Sequence, residues 1–105
     1  MTDNQAKFHV GQLVQHLKFG YRGVIFDVDP EFQETQEWYD AMATSRPPKD
    51  RPWYRVLVHD ESHTTYVAEC NLGPETAPSP IEHPLVEALF SGFEDGLYLT
   101  GHTYN

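Results

Sequence analysis

The sequence feature that most constrains the fold is the stretch Pro52–His59, Pro-Trp-Tyr-Arg-Val-Leu-Val-His. Aromatic and β-branched residues fill it, and its proline stands first, where no ladder hydrogen bond has to be donated. Successive side chains of a strand point to opposite faces. One face would hold Tyr54, Val56 and Val58, and the other Trp53, Arg55, Leu57 and His59. Because both faces carry large apolar groups, we expect this strand inside a sheet.

Further strands are predicted where apolar and β-branched residues lie between turn residues. They are Phe8–Leu17 with a bend at Gly11, Arg22–Asp29, His63–Glu69, and a short closing segment at Asn71–Pro74. Gly20 and residues 60–62 have the composition of tight turns. Gly23, inside the second strand, indicates a bend or a close backbone contact. Four or five short strands joined by turns predict a mainly β fold, a small closed or partly open barrel.

The connection between the second and third strands is too long to be unstructured in a compact domain. Residues 33–43 have helical spacing of Trp38, Ala41 and Met42, and Thr35 is suited to the N-cap. We therefore expect one short helix, packed by Trp38 onto the barrel. The proline-rich segment that follows favours an extended, polyproline-like conformation.

The chain is predicted to have two parts. Residues 8–74 form the barrel with its helical insertion at 33–43, and residues 75–105 form a linker and a C-terminal extension. Within the extension, His83–Phe90 has apolar spacing for one short helix, with Pro84 acceptable in its first turn. Many apolar residues follow, so we expect the extension to pack on the barrel or to form an interface.

Charge is distributed unevenly along the chain. The formal net charge is −9, and all seven Lys and Arg residues lie in the first 55 positions. Eight carboxylates follow with no fixed cation among them: Asp60, Glu61, Glu69, Glu75, Glu82, Glu87, Glu94 and Asp95. Polyanion binding depends on cations that displace phosphate counterions, so nucleic acid would have to bind a local patch.

No apolar run is long enough to span a bilayer, and residues 1–5 lack the charge and apolar stretch of a signal peptide. We therefore expect a cytoplasmic protein with no membrane partner. Cys70 is the single cysteine, which excludes an internal disulfide. No cation lies near it in sequence to activate it, so a core or half-buried thiol is expected.

The candidate binding residues combine cations with aromatic rings. They are Lys18, Tyr21, Arg22, Arg46, Lys49, Arg51, Trp53 and Arg55. Prolines would hold several of the cations apart, and rings beside cations suit base stacking and phosphate contact. The alternative, which we favour, is a solvated loop with its aromatic residues in the core. A run of carboxylates between Asp27 and Asp40 would also repel a phosphate backbone.

Metal binding and catalysis have little support in the sequence. His59 and His63 flank a turn and could bring two imidazoles together, but no third or fourth ligand has a recognisable spacing. A polar turn is the simpler interpretation. No nucleophile elbow, Walker loop or paired-carboxylate motif is present. We expect no catalytic residues, no metal and no cofactor.

Taken in order, several segments resemble one family. They are Val10–His16, Gly20–Ile25, Asp27–Pro30, Pro52–Val58, His63–Glu69 and Asn71-Leu72. The motifs G-Y-x-G-V, D-V-D-P, P-W-Y and T-Y-V-A-E, in this order, resemble the heat-shock protein HspQ family, also called YccV-like or hemimethylated DNA-binding. The resemblance runs from Phe8 to Leu72. It implies a small SH3-like β-barrel without enzymatic activity.

The resemblance implies two roles. One is promotion of the degradation of denatured or regulatory proteins, such as the replication initiator, by the ATP-dependent protease Lon during stress. The other is binding of hemimethylated double-stranded DNA at the replication origin. The acidic charge favours a protein partner, so a non-enzymatic regulatory binding protein is our hypothesis. A self-associating interaction barrel with another client, which would form a homo-oligomer through residues 85–93, is the third alternative.

Overall fold

The structure, a computed structural model, describes residues 5–100. Five strands form one antiparallel sheet: β1 Leu13–His16, β2 Arg22–Asp29, β3 Trp53–Val58, β4 Thr64–Ala68 and β5 Leu72–Pro74. Their order in the sheet is β4-β3-β2-β1-β5. The other elements are helices α1 Gln36–Met42 and α2 Val86–Leu89, a 3-10 turn at Glu69–Asn71, and the hairpin β6 Gly92–Glu94 with β7 Leu97–Leu99. The predicted mainly β fold, with about five strands and a short helix in the long connection, is confirmed.

One face of the sheet encloses the main core. β3 pairs with both β2 and β4, which confirms its predicted place inside the sheet. The inner cluster consists of Phe8, Val14, Ile25, Tyr54, Val56, Val67 and Leu72. Every strand of the sheet contributes to this cluster, so the sheet wraps around it. Burial of each such side chain stabilises the fold by roughly 1.5–3 kcal/mol.

The outer face is covered by two separate segments. Towards the start of β3, Trp53 packs with Tyr39, Ala43 and Ala68. Tyr39 and Ala43 belong to the helical insertion, residues 30–52, which contains α1, and Ala68 belongs to β4. Towards the end of β3, Leu57 packs with Leu13, Val24, Ile81, Phe90 and Tyr98. The last three belong to the C-terminal segment, residues 75–100.

The first strand is shorter than predicted. β1 begins at Leu13 and not at Phe8, because Gly11 takes a φ of 92° and turns the chain, as the expected bend requires. A Cβ atom added to Gly11 would lie 2.2 Å from the carbonyl oxygen of Tyr98. The C-terminal segment thus packs directly on this turn, where the Tyr98 N–H donates to the Gly11 carbonyl at 2.9 Å. Phe8 is nevertheless buried.

Helix α1 is capped as predicted but buries a different face. The Thr35 hydroxyl accepts a hydrogen bond from the Trp38 N–H at 3.1 Å. Met42, expected to face the barrel, is 65% exposed, and Tyr39 and the following Ala43 are buried instead. Trp38 makes the predicted inward contact, with its ring centroid 6.0 Å from that of Trp53.

Near the C-terminus, the helix predicted over His83–Phe90 is limited to the four residues of α2. The hairpin of β6 and β7 was not predicted, and an isolated bridge between Gln12 and Leu97 links it to the start of β1. The predicted extension includes residues 101–105, which lie outside the described residues. Cys70 is exposed, contrary to expectation, because it lies in the 3-10 turn between β4 and β5. Within residues 5–100, no helix combines the length and the apolar character needed to cross a bilayer.

Candidate binding surface

The eight predicted binding residues lie in different places. Lys18, Tyr21, Trp53 and Arg55 line one groove with a volume of about 480 Å³. Arg46 and Lys49 lie against Tyr39 of α1, as their ring contacts show. Arg22 contacts the segment 75–80, and exposed Arg51 lies just before β3. The groove is therefore where the prediction and the structure overlap.

Arg55 is outnumbered by carboxylates. Its guanidinium lies 3.0 Å from the Glu34 carboxylate, 3.8 Å from Asp27 and 3.9 Å from Asp29. The Asp27 contact follows from the register, which places Asp27 opposite Arg55 on the neighbouring strand. The guanidinium carbon also lies 4.2 Å from the centre of the Tyr66 ring. With one positive and three negative charges, this cluster has a net charge of −2, which disfavours the binding of phosphate.

Tyr66 connects this carboxylate cluster to the groove. Its hydroxyl donates to Asp29 at 2.6 Å and accepts from the Gln33 N–H at 3.0 Å. Burial, together with the hydrogen bond to Asp29, raises the pKa of the Tyr66 phenol well above its usual value. The phenol therefore stays neutral, and its ring stacks on Trp53 with centroids 5.2 Å apart.

Arg22 has a structural role in this fold. Its Nε lies 3.1 Å from the Glu75 carboxylate, and its guanidinium donates to the carbonyl of Pro80 at 3.3 Å. These bonds hold the start of the C-terminal segment against β2. An arginine engaged by a carboxylate and by backbone carbonyls has few donors left for a ligand.

Arg46 and Lys49 are engaged with α1. Arg46 donates to Asp40 at 2.6 Å and lies 5.2 Å from the centre of the Tyr39 ring. This hydrogen bond holds the pKa of the Asp40 carboxyl below its usual value. The Lys49 ammonium lies 4.3 Å from the Tyr39 ring centre and donates to Gln36. Both cations thus attach the proline-rich loop to the helix.

Lys18 and Tyr21 line another part of the groove. The Tyr21 hydroxyl and the Thr65 hydroxyl are 2.8 Å apart, and burial raises the pKa of the Tyr21 phenol. The turn before Tyr21 is held by His16, whose Nδ1 accepts the N–H groups of Lys18 and Phe19, each at 3.1 Å. Within residues 5–100, the Lys18 ammonium has no ion pair, so it can contact a ligand.

Sequence reasoning missed two apolar residues on opposite walls of the groove. Phe19 is 77% exposed and Met42 is 65% exposed. The helical pattern assigned Met42 to the core. Phe19 could have been found, because a large apolar residue directly before the turn glycine Gly20 has little chance of burial.

The two histidines considered for metal binding have other contacts. His59 Nδ1 accepts the Glu82 N–H at 2.9 Å, and the His63 carbonyl accepts from His83 Nε2 at 3.0 Å. Both bonds attach the C-terminal segment to the turn after β3. Among the residues that the structure describes, no group of three or more His, Cys, Asp or Glu side chains could hold a metal ion.

Comparison with known families agrees with this architecture. A family model described as "Hemimethylated DNA-binding protein YccV like" matches residues 6–97. The match confirms the resemblance traced from Phe8 to Leu72 and extends it through β6 to the start of β7. Residues 81–97, which help to cover the outer face, are therefore part of the matched domain. On this match over most of its length, the chain belongs to the YccV-like family.

Proposed function

We propose that the protein is a non-enzymatic regulatory binding protein of the HspQ type. It binds denatured or regulatory proteins, such as the replication initiator, and promotes their degradation by the ATP-dependent protease Lon during stress. The protease and its clients are what the resemblance to the HspQ family implies. The binding mode is argued from the surface of this chain.

The observation that carries the proposal is the charge beside the groove. Arg55, the central cation of the predicted patch, lies among three carboxylates, and Arg22 and Arg46 each have one carboxylate partner. A phosphate backbone would be repelled by this surplus. Exposed Phe19 and Met42 at the same place offer apolar contact to a polypeptide.

A reconstituted degradation assay tests this proposal. Purified Lon, ATP and a fluorescently labelled, carboxymethylated and permanently unfolded protein are mixed with and without this chain. We expect faster release of labelled fragments when the chain is present, and no release without ATP in either case. An unchanged rate over a wide range of chain concentrations would reject the role in proteolysis.

Hemimethylated DNA is the second candidate partner, and the description of the family favours it. Lys18, without an ion pair among the described residues, and the neighbouring Tyr21 would offer a cation and a phenol to a duplex. The test compares hemimethylated, unmethylated and fully methylated versions of one short duplex at two salt concentrations. A hemimethylated preference that survives moderate salt supports this candidate. Equal, weak binding that disappears with salt shows counterion release alone and rejects it.

A further inference from the structure

The outer edge of β4 is an open side of the sheet. In the part of the chain that the structure describes, β4 pairs with β3 and has no strand on its other side. Immediately after β4, the Glu69 N–H donates to the Pro52 carbonyl at 3.1 Å, towards β3. Backbone groups alternate in direction along an antiparallel strand. Val67 and Thr65 therefore also bond towards β3.

Thr64, Tyr66 and Ala68 then direct their N–H and C=O groups away from the sheet. Among residues 5–100, these backbone groups have no backbone partner outside the regular ladders. Ala68 is buried, whereas Thr64 is exposed and Tyr66 is half-buried. Two residues thus offer two donors and two acceptors at the spacing that an added strand requires.

The groove follows this edge. Every residue from His63 to Ala68 lines it, although their side chains alternate between the two faces of the sheet. A groove that contacts all of them runs along the strand edge. Phe19 and Tyr21 form the wall on the inner side, and Trp38 and Met42 form the wall on the outer side. Alternate side chains of an added strand would reach one wall and then the other.

The other edge of the sheet is less suitable. β5 has three residues, and its last, Pro74, has no N–H to donate. Its outward groups are already used: the Leu72 N–H donates to the Glu69 carbonyl of the 3-10 turn, and the Pro74 carbonyl accepts from Gln15 Nε2 at 3.4 Å. Of the two edges, β4 is the one with free groups and an apolar border.

We propose that this groove binds an extended segment of another protein as an additional antiparallel or parallel strand on β4. The segment would carry apolar side chains at alternate positions and a Lys or Arg near Arg55. The charge requirement follows from the net charge of −2 that the carboxylates of Asp27, Asp29 and Glu34 give together with the Arg55 guanidinium. This inference rests on the proposed function and names the chemistry of the bound client.

The direct test uses a defined peptide and the intact chain. The probe is an eight-residue peptide of alternating Val and Lys with blocked ends, beside a matched peptide of alternating Val and Glu. Hydrogen exchange of individual amides in the isotope-labelled chain is followed by NMR. We expect the Val-Lys peptide to slow exchange at Thr64 and Tyr66 at least tenfold, and the Val-Glu peptide to bind at least tenfold more weakly. If the Val-Lys peptide slows exchange at other amides but leaves the rates at Thr64 and Tyr66 unchanged, the proposal is overturned.

A backbone variant separates strand pairing from side-chain contact. Thr64→Pro removes an outward N–H at the first residue of an edge strand, where proline is tolerated. Thr64→Val keeps that N–H and is the matched control. We expect Thr64→Pro to weaken peptide binding about tenfold, which corresponds to about 1.4 kcal/mol. We expect Thr64→Val to leave the binding unchanged. Equal binding by both variants would overturn strand addition.

A second pair of variants tests the walls. Met42→Ser removes an exposed apolar side chain from the groove, and Leu85→Ser removes an exposed one, 42% exposed, from the C-terminal segment. We expect the first to weaken peptide binding several-fold and the second to have no effect. If protection at Thr64 and Tyr66 instead rises with the concentration of the chain alone, a second copy occupies the edge, and the client proposal fails.

The degradation assay distinguishes the two proposals. If the wild-type chain and Thr64→Pro stimulate Lon equally, the groove is not the client site, and the proposed function stands. If the wild-type chain does not stimulate Lon but protects Thr64 and Tyr66 on peptide binding, the groove stands and the role in proteolysis fails.

Discussion

The helical insertion and the C-terminal segment cover the same face of one sheet in different ways. The C-terminal segment closes its end, with Ile81 at 4%, Phe90 at 5% and Tyr98 at 6% exposure. The helical insertion packs rings around Trp53, and Phe32, Trp38 and Tyr66 remain partly exposed there. The C-terminal end has the smaller cavity, about 340 Å³ against about 480 Å³ for the groove beside the helical insertion, so it is the more completely closed of the two.

Ring geometry explains the difference. The rings of Phe32 and Trp38 contact the Trp53 ring edge to face, with interplanar angles of 64° and 74°. This arrangement suits the aromatic quadrupoles, but it fills space less completely than interdigitated aliphatic side chains do. At the other end, aliphatic Leu13, Val24 and Leu57 fill the gaps between rings. The incompletely filled end is the one suited to binding, and the filled end contributes mainly to stability.

The largest expected effect is that of Trp53→Ala. Trp53 is 1% exposed and is the residue on which the helical insertion packs. Removing the ring should lower the free energy of unfolding by about 3–5 kcal/mol. Urea unfolding followed by circular dichroism measures it, with Leu57→Ala, at about 2–5 kcal/mol, as the counterpart under the C-terminal segment. A loss below about 1 kcal/mol for Trp53→Ala would show that the insertion does not depend on this ring.

The next effect tests how closely the C-terminal segment approaches the sheet. Gly20→Ala meets no atom within 4 Å, so its positive φ of 77° alone should cost about 1–2 kcal/mol. Gly11→Ala has a similar φ but drives its Cβ into the Tyr98 carbonyl, which adds roughly 1–3 kcal/mol. Thermal or urea unfolding of both variants gives the difference. Equal losses would mean that the segment moves away without cost.

A smaller effect compares one hydroxyl in each covering segment. The Tyr98 hydroxyl accepts the Ile81 N–H at 3.0 Å and donates to the Ile81 carbonyl at 3.3 Å, so Tyr98→Phe leaves two buried backbone groups unpaired. We expect a loss of about 1–3 kcal/mol. Tyr39→Phe removes one bond, to the Pro47 carbonyl at 2.7 Å, and so leaves one backbone group unpaired and not two. Urea unfolding should rank Tyr98→Phe as the more destabilising, and the reverse order would contradict this difference in the number of unpaired groups.

The sequence predicts the sheet well because its strands have strong local signals. Pro52–His59 has the alternation and composition of an internal strand, and β2 begins and ends at the predicted residues. The hairpin of β6 and β7 was missed because its strands have three residues each and show no periodicity. Its turn did carry a signal: Asp95 and Gly96, with φ of 55° and 78°, form the Asp-Gly pair that two-residue hairpins favour.

The binding surface was harder to predict because charge pairing is a property of the fold. Composition shows that Arg22 and Arg55 are cations. It does not show that Glu75, 53 positions from Arg22, or Glu34, 21 positions from Arg55, will neutralise them. The same limit applies to Met42, whose helical spacing suggested burial but whose face of α1 is exposed. Local patterns specify strands and turns, and tertiary contacts decide which side chains remain available.

The smallest expected effect is a pH dependence beside the groove. His16 is 6% exposed, and its Nδ1 must be unprotonated to accept the N–H groups of Lys18 and Phe19. Burial, and then the positive charge of Lys18, lower the pKa of His16 below its usual 6.5. As the pH falls below that value, the unfolded chain binds a proton that the folded chain does not. The stabilisation from neutral His16 is therefore complete above pH 6.5 and decreases as the pH falls towards the folded-state pKa.

Comparing wild type with His16→Asn isolates this contribution, because an asparagine carbonyl can accept a backbone N–H but does not titrate. Urea unfolding between about pH 7.5 and about pH 5 should show an additional loss in the wild type, with a slope below about 1.4 kcal/mol per pH unit. Phe19 stacks on His16 with centroids 4.6 Å apart, so protonation should also loosen the groove wall that Phe19 forms. If the two proteins lose stability in parallel, His16 is not the titrating group. If only the wild type loses it, the inner wall of the groove responds to pH through one buried imidazole.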